Sequence, residues 1–186
     1  MTGNARQIPA PWRDIDVVVA AYAGTCHGLA AFVRAAEALR LSLDARPWLL
    51  CPRDARADVH GAEGTIEYPK PGRDGAEDDH ARAGALSAIA ALEACRARAA
   101  FVFTERGAAP YVPAYLCYLA GIPYRVGVET EFAGAVLSHA VRLPPHRDDV
   151  ERHLALLASV GVLPAAMQTI GSPRSASSNR SIGCEH

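Results

Sequence analysis

"AAFVFTERGAAPYVPAYLCYLAGIPYRVGVE", from Ala99 to Glu129, is the stretch from which the fold can be read. Its first residues, Ala99 to Phe103, form an unbroken apolar run of the length a buried strand takes. The spacing predicts a helix over 110–119, with Pro110 near its first turn and Gly121 as its C-cap. "YRVGV" (124–128) reads as the next strand. Between strand and helix lies Thr104-Glu105-Arg106-Gly107, a hydroxyl, a carboxylate and a guanidinium at the end of the most hydrophobic strand. Burying the two ions would cost on the order of several kcal/mol each, so the loop is expected to open to solvent.

The same alternation extends in both directions. "DIDVVVAAY" (14–22) is a β-branched run and the expected first strand. A helix follows, with Leu29, Phe32, Val33, Ala36 and Leu39 on one face. "RPWLLCP" (46–52) and "GTIEYP" (64–69) read as strands, the latter weaker. The polar loop 70–78 leads to a helix capped by Asp78 or Asp79. It carries Leu86, Ile89, Ala90 and Leu92 and runs to about Arg98. Beyond residue 128, a short element around Phe132–Leu137 leads to a sixth strand, "HAVRL" (139–143). Asp148 caps a last helix with Val150, Leu154 and Leu157 on one face. Strands alternating with helices predict an α/β domain, a Rossmann-like, doubly wound and mostly parallel sheet, over residues 15–163. Residues 1–14 are expected to be a flexible arm. Residues 164–186, "PAAMQTIGSPRSASSNRSIGCEH", lack periodicity and read as a disordered tail or a short helix over 164–170.

Composition narrows the function. A chain of 186 residues, 50% hydrophobic and 21% charged, can bury a core without staples. A net charge of −1 gives no bulk attraction to nucleic acid or anionic membrane. Lys70 is the sole lysine, so the cationic side chains are almost all arginine. Five cysteines with no CxxC pair indicate neither a disulfide framework nor a zinc site. The reading is a reducing, cytoplasmic setting, with no signal peptide and no membrane span. His139, His146 and His153 are spaced by seven; only His146 and His153 could share a helix face, and no third metal ligand is offered. Neither a metal nor a cofactor is expected.

In open α/β sheets, ligands bind beyond the carboxyl ends of the strands. Three such ends carry polar residues: "YAGTCHG" (22–28), "TERG" (104–107) and "VETE" (128–131). The first has neither the G-x-G-x-x-G fingerprint nor a phosphate loop, which weakens a dinucleotide-binding reading. Thr25 is either an N-cap or an anion ligand. His27 is either a solvated loop histidine or an acid–base group. Thr104 either caps the next helix or holds a ligand. Arg106 either binds an anionic group or pairs with Glu129 or Glu131. The candidate substrate-binding residues are therefore Thr25, Thr104, Glu105, Arg106 and Glu131, with His27 as the only catalytic candidate.

Longer strings carry a resemblance. Phe103-Thr104, Ala114 to Pro123, Arg125, Gly127, Leu137-Ser138-His139 and Val150 to Leu157 resemble glycosyltransferase family 9, the heptosyltransferase family of lipopolysaccharide assembly. "WLLCPRDA" (48–55) and "EDDHA" (77–81) fit it too, and the match spans roughly residues 40–162. The resemblance implies the N-terminal, acceptor-side half of a GT-B-type enzyme, with the donor-binding domain absent. Its partners would be an acceptor carbohydrate or lipopolysaccharide core. A nucleotide-sugar would bind only if a donor domain is supplied elsewhere. The implied setting is cytoplasmic, peripheral to the inner membrane. The family's catalytic aspartate after the first strand has no counterpart in Ala23 to Gly28. A truncated or frame-shifted product, inactive alone, is thus expected. The alternative is a non-enzymatic carbohydrate- or phosphate-binding module or a decayed remnant.

Overall fold

The computed structural model describes residue 12 and residues 14–70, 79–130, 136–144 and 148–162. Six strands form one sheet: β1 (Val17–Ala23), β2 (Arg46–Pro52), β3 (Gly64–Tyr68), β4 (Ala99–Thr104), β5 (Tyr124–Val128) and β6 (His139–Val141). Their order is β3-β2-β1-β4-β5-β6 and every neighbouring pair is parallel. Among the described residues, four α-helices accompany them: α1 (Leu29–Leu43), α2 (Asp79–Cys95), α3 (Tyr111–Leu119) and α4 (Asp149–Ser159). This is the α/β, Rossmann-like, doubly wound sheet that the alternating pattern predicts.

The central strands are apolar on both sides because both faces are covered. Phe32, Ala35 and Leu39 of α1 and Leu156 and Leu157 of α4 pack on one face, against Val18, Ala20, Phe101 and Val126. Ala88 and Leu92 of α2 and Ala114, Leu116 and Cys117 of α3 pack on the other, against Val19, Leu50 and Val102. Val18, Leu50, Val102 and Val126 are all fully buried. Of the residues that mark α2 in the sequence, Leu86 and Ala90 are exposed. The helix instead turns Ala85, Ala88, Ile89 and Leu92 to the core, a stripe of three- and four-residue steps.

Local signals explain the ends. Asp148 caps α4, accepting a bond from Glu151 N at 2.8 Å. Helix α3 ends in a Schellman turn: Gly121 has φ +73°, its N bonds the Tyr118 carbonyl, and Ile122 N bonds the Cys117 carbonyl. Trp12 belongs to the segment read as an arm, yet it is 3% exposed. Its indole donates to the Val160 carbonyl at 2.8 Å, and its ring centroid lies 5.4 Å from Phe101 and 5.7 Å from Tyr124. The rest of residues 1–11 and the segment 164–186 lie outside the described residues.

The residues that carry the family resemblance touch one another. Arg125 Nε donates to the Val136 carbonyl at 2.6 Å, and its Nη1 also bonds the Ile122 and Pro123 carbonyls. Ser138 Oγ accepts Arg125 N at 2.7 Å and lies 2.9 Å from His139 Nδ1. A Cβ on Gly127 would stand 3.0 Å from Leu137. "R-x-G" and "L-S-H" are thus the two sides of one latch between β5 and β6.

Candidate functional site

Reversal of the strand order between β1 and β4 opens a crevice above their carboxyl ends. The loop after β1 and the loop after β4 form its two sides. They are joined by Glu105, whose carboxylate accepts from Thr25 N at 2.7 Å and from Thr25 Oγ1 at 2.9 Å. Glu105 N in turn donates to the Ala23 carbonyl at 3.0 Å.

Two tyrosines support the crevice from below. Tyr68 OH donates to the Tyr22 carbonyl at 2.7 Å, and Tyr22 OH donates to the Thr25 carbonyl at 2.9 Å. Burial pushes the acidity of both phenols far outside the physiological range, and the Glu105 charge adds to the effect at Tyr22. Both therefore remain protonated donors. The two glycines of "YAGTCHG" are explained by the Tyr22 ring. A Cβ on Gly24 or Gly28 would collide with the Tyr22 hydroxyl, and one on Gly24 would also stand 2.9 Å from Glu105 Cβ. These glycines serve ring packing, which is why their spacing matches no phosphate-binding fingerprint.

A cavity of about 240 Å³ lies over this assembly, bordered by Gly24, Thr25, Tyr68, Lys70 and Glu105. Lys70 is held at its rim by Asp54, 2.8 Å away. A second, larger cleft of about 410 Å³ opens beside it above β4 and β5. The two share Ala108 and Ala109.

Thr104, Glu105 and Arg106 diverge sharply. Thr104 is 1% exposed. Its Oγ1 accepts Arg152 Nη2 at 2.6 Å, and its carbonyl accepts Arg152 Nη2 at 3.0 Å and His153 Nε2 at 3.1 Å. The hydroxyl thus neither caps α3 nor stands free. Glu105 turns to Thr25, and Arg106 is exposed and borders neither cavity. His27 is exposed on a 3-10 turn (Cys26–Gly28), its N donating to Thr25 Oγ1 at 3.3 Å, so Thr25 does cap that turn. His27 also borders neither cavity. Glu129 pairs with Arg142 at 2.6 Å, which lowers its pKa. Glu131 lies outside the described residues. Among the described residues, no group of three or more His, Cys, Asp or Glu side chains is arranged to hold a metal.

Sequence reasoning gave Arg152 no role. Its side chain is only 11% exposed, clamped between Thr104 and Asp149, whose Oδ1 is 3.5 Å away. It borders the larger cleft with Tyr111 and Thr130, whose hydroxyls are 2.7 Å apart. The available signal was its place in α4, where "VERHLALL" sets Arg152 and His153 within an apolar stripe. Burial holds the His153 pKa below the ordinary histidine value, against the opposing effect of its bond to the Thr104 carbonyl.

No protein-family model matches the sequence, and no curated protein does. Solved structures do match the fold. The family 9 glycosyl transferase of Veillonella parvula aligns with a TM-score of 0.63 at 14% identity, over 82% of this chain and 42% of that one. ADP-heptose lipopolysaccharide heptosyltransferase II of Escherichia coli aligns with a TM-score of 0.57 at 16% identity, over 86% of this chain and 44% of that one. The fold is therefore that of a glycosyltransferase-like Rossmann unit. The chain spans under half the length of these two neighbours. Among the described residues, no helix is long and apolar enough to cross a membrane.

Proposed function

We infer that residues 15–163 act as the acceptor-side, N-terminal half of a family 9 type glycosyltransferase, one resembling enzymes that transfer heptose to a lipopolysaccharide core. On this reading the crevice over β1 and β4 receives an acceptor carbohydrate. Thr25 and Glu105 border that site and the buried Thr104 underlies it, while Arg106 stands on the same loop outside both cavities. A nucleotide-sugar binds only where a donor-binding half is supplied, and the domain by itself transfers no sugar. The working place is the cytoplasm, peripheral to the inner membrane. The observation that carries the reading is the Thr25–Glu105 junction at the switch point, in a fold shared with two such glycosyltransferases.

The second reading is a carbohydrate- or phosphate-binding module without catalysis. It is favoured by the lack of an aspartate in Ala23 to Gly28 and by the engagement of Glu105 with Thr25. His27 remains the only titratable side chain on the first loop besides the Cys26 thiol. The test is a transfer assay with ADP-heptose and a lipopolysaccharide core acceptor. No turnover is expected from this chain alone. Turnover that His27→Ala abolishes would contradict the reading and make His27 the base.

A further inference from the structure

We propose that the cleft above β4 and β5 is a binding site for a phosphate monoester carried on a sugar, with Arg152 as its anion ligand. The inference stands on the cleft alone and does not depend on the glycosyltransferase reading. Its volume, about 410 Å³, lies within the range of roughly 300–1,000 Å³ that small-molecule sites occupy. Arg152 is the only charged side chain among the described residues that border it. Asp149 stands 3.5 Å behind it at Nη1, while the other described residues of the wall are neutral, so Arg152 is the group there that can draw an anion, and its partial withdrawal from water strengthens that attraction.

The guanidinium is also oriented in advance. Nη2 is committed to Thr104, through both the hydroxyl and the carbonyl, and Nη1 faces Asp149 at 3.5 Å. These contacts fix the plane of the group before any ligand arrives, so little rotamer entropy is lost on binding. Among the described residues Nε makes no hydrogen bond, which leaves it as a donor for an oxyanion. The Tyr111 and Thr130 hydroxyls lie on the cleft wall, where they suit the hydroxyl groups of a sugar. Tyr111 is also the first residue of α3, so the positive end of that helix adds to the attraction. Val128, Leu143 and Pro144 give the apolar surface on which a sugar ring can rest.

Calorimetry of the full chain with glucose 6-phosphate tests this, with glucose and glucuronate as comparison arms. Glucose 6-phosphate is expected to bind, and to weaken as salt is raised. Glucose is expected to bind at least about tenfold more weakly, the difference that a lost bond to a charged group produces, and glucuronate, whose carboxylate carries a single charge where the phosphate carries nearly two, more weakly than glucose 6-phosphate. Arg152→Met removes the ligand. Because Arg152 also supports Thr104, Ala109→Glu serves as a second variant: it sets a like charge on the exposed lip of the cleft without touching the clamp. Each is expected to weaken glucose 6-phosphate about tenfold or more. Absence of phosphate-dependent binding by the wild type, an unchanged affinity in Ala109→Glu, or equal binding of glucuronate would overturn the proposal.

Discussion

The carboxylate of Glu105 reaches from the end of β4 to the loop after β1 and holds Thr25 by its N at 2.7 Å and its Oγ1 at 2.9 Å. The two residues are 80 positions apart. Their junction fixes two loops to each other at the point where an open α/β sheet presents its ligand site. Removing either partner leaves the other exposed to water, which moderates the cost. Thr25→Ala and Glu105→Ala are each expected to lower stability by about 1 kcal/mol. The double variant should lose less than the sum. Urea denaturation of the four proteins measures the cycle, and strict additivity would show that the junction contributes nothing.

The two loop glycines should respond differently to repair. Gly24→Ala and Gly28→Ala each force a methyl into the Tyr22 hydroxyl, and about 1–3 kcal/mol of destabilisation is expected. For Gly28 the conflict is mainly with that hydroxyl, whereas for Gly24 it extends to the ring carbon bearing it and to Glu105 Cβ. Tyr22→Phe should therefore restore much of the stability lost in Gly28→Ala and little of that lost in Gly24→Ala. Thermal unfolding of the paired variants distinguishes the two cases.

Acid should weaken the α4 contact through His153. This ring is 2% exposed and donates from Nε2 to the Thr104 carbonyl, with Asp149 and Arg152 beside it. Its folded pKa is lowered by burial, while in the unfolded chain it is about 6.5. Below that value the unfolded chain takes up a proton more readily than the folded one, so stability falls as the solution is acidified. His153→Gln keeps a donor and cannot titrate. The stability advantage of the wild type over this variant is expected to shrink between about pH 7 and pH 5. A difference that stays constant across that range would contradict the assignment.

Trp12 fastens the segment before β1 to the residue that follows α4. Its indole bonds Val160, and its ring fills the core beside Phe101. Trp12→Ala is expected to cost about 3 kcal/mol, as large core truncations do. Trp12→Phe should cost less, since it keeps much of the ring contact and loses the bond to Val160. Guanidinium denaturation checks both.

The sheet was legible because buried parallel strands are written as apolar runs, "VVVAAY" and "AAFVF" among them, which no loop or half-exposed helix imitates. Helix α3 was legible from Pro110 and Gly121, whose backbone preferences mark its two ends. The core-facing side of α2 was not legible, because its alanines satisfy several helical faces at once and Leu86 stands on a face that the sheet leaves in water. Trp12 escaped notice because it stands alone, with no periodic neighbour to mark it as core. In the candidate site, the polar ends of the strands were visible, but their pairing was not. Which loop meets which depends on strand order, and only the placement of β1 beside β4 brings Glu105 to Thr25. Arg152 was hidden for a similar reason: a cation within an apolar helical stripe reveals its role only when Thr104 and the cleft stand before it.

The most direct test of the acceptor-side account is amide chemical-shift mapping of the labelled chain against two ligands. One is a heptose-free lipopolysaccharide core oligosaccharide; the other is ADP-heptose. The account expects the oligosaccharide to move the amides of Gly24 to Gly28 and of Glu105 to Ala109, and ADP-heptose to move none of them. Saturable shifts at those amides with ADP-heptose, or their silence with the oligosaccharide, would contradict it.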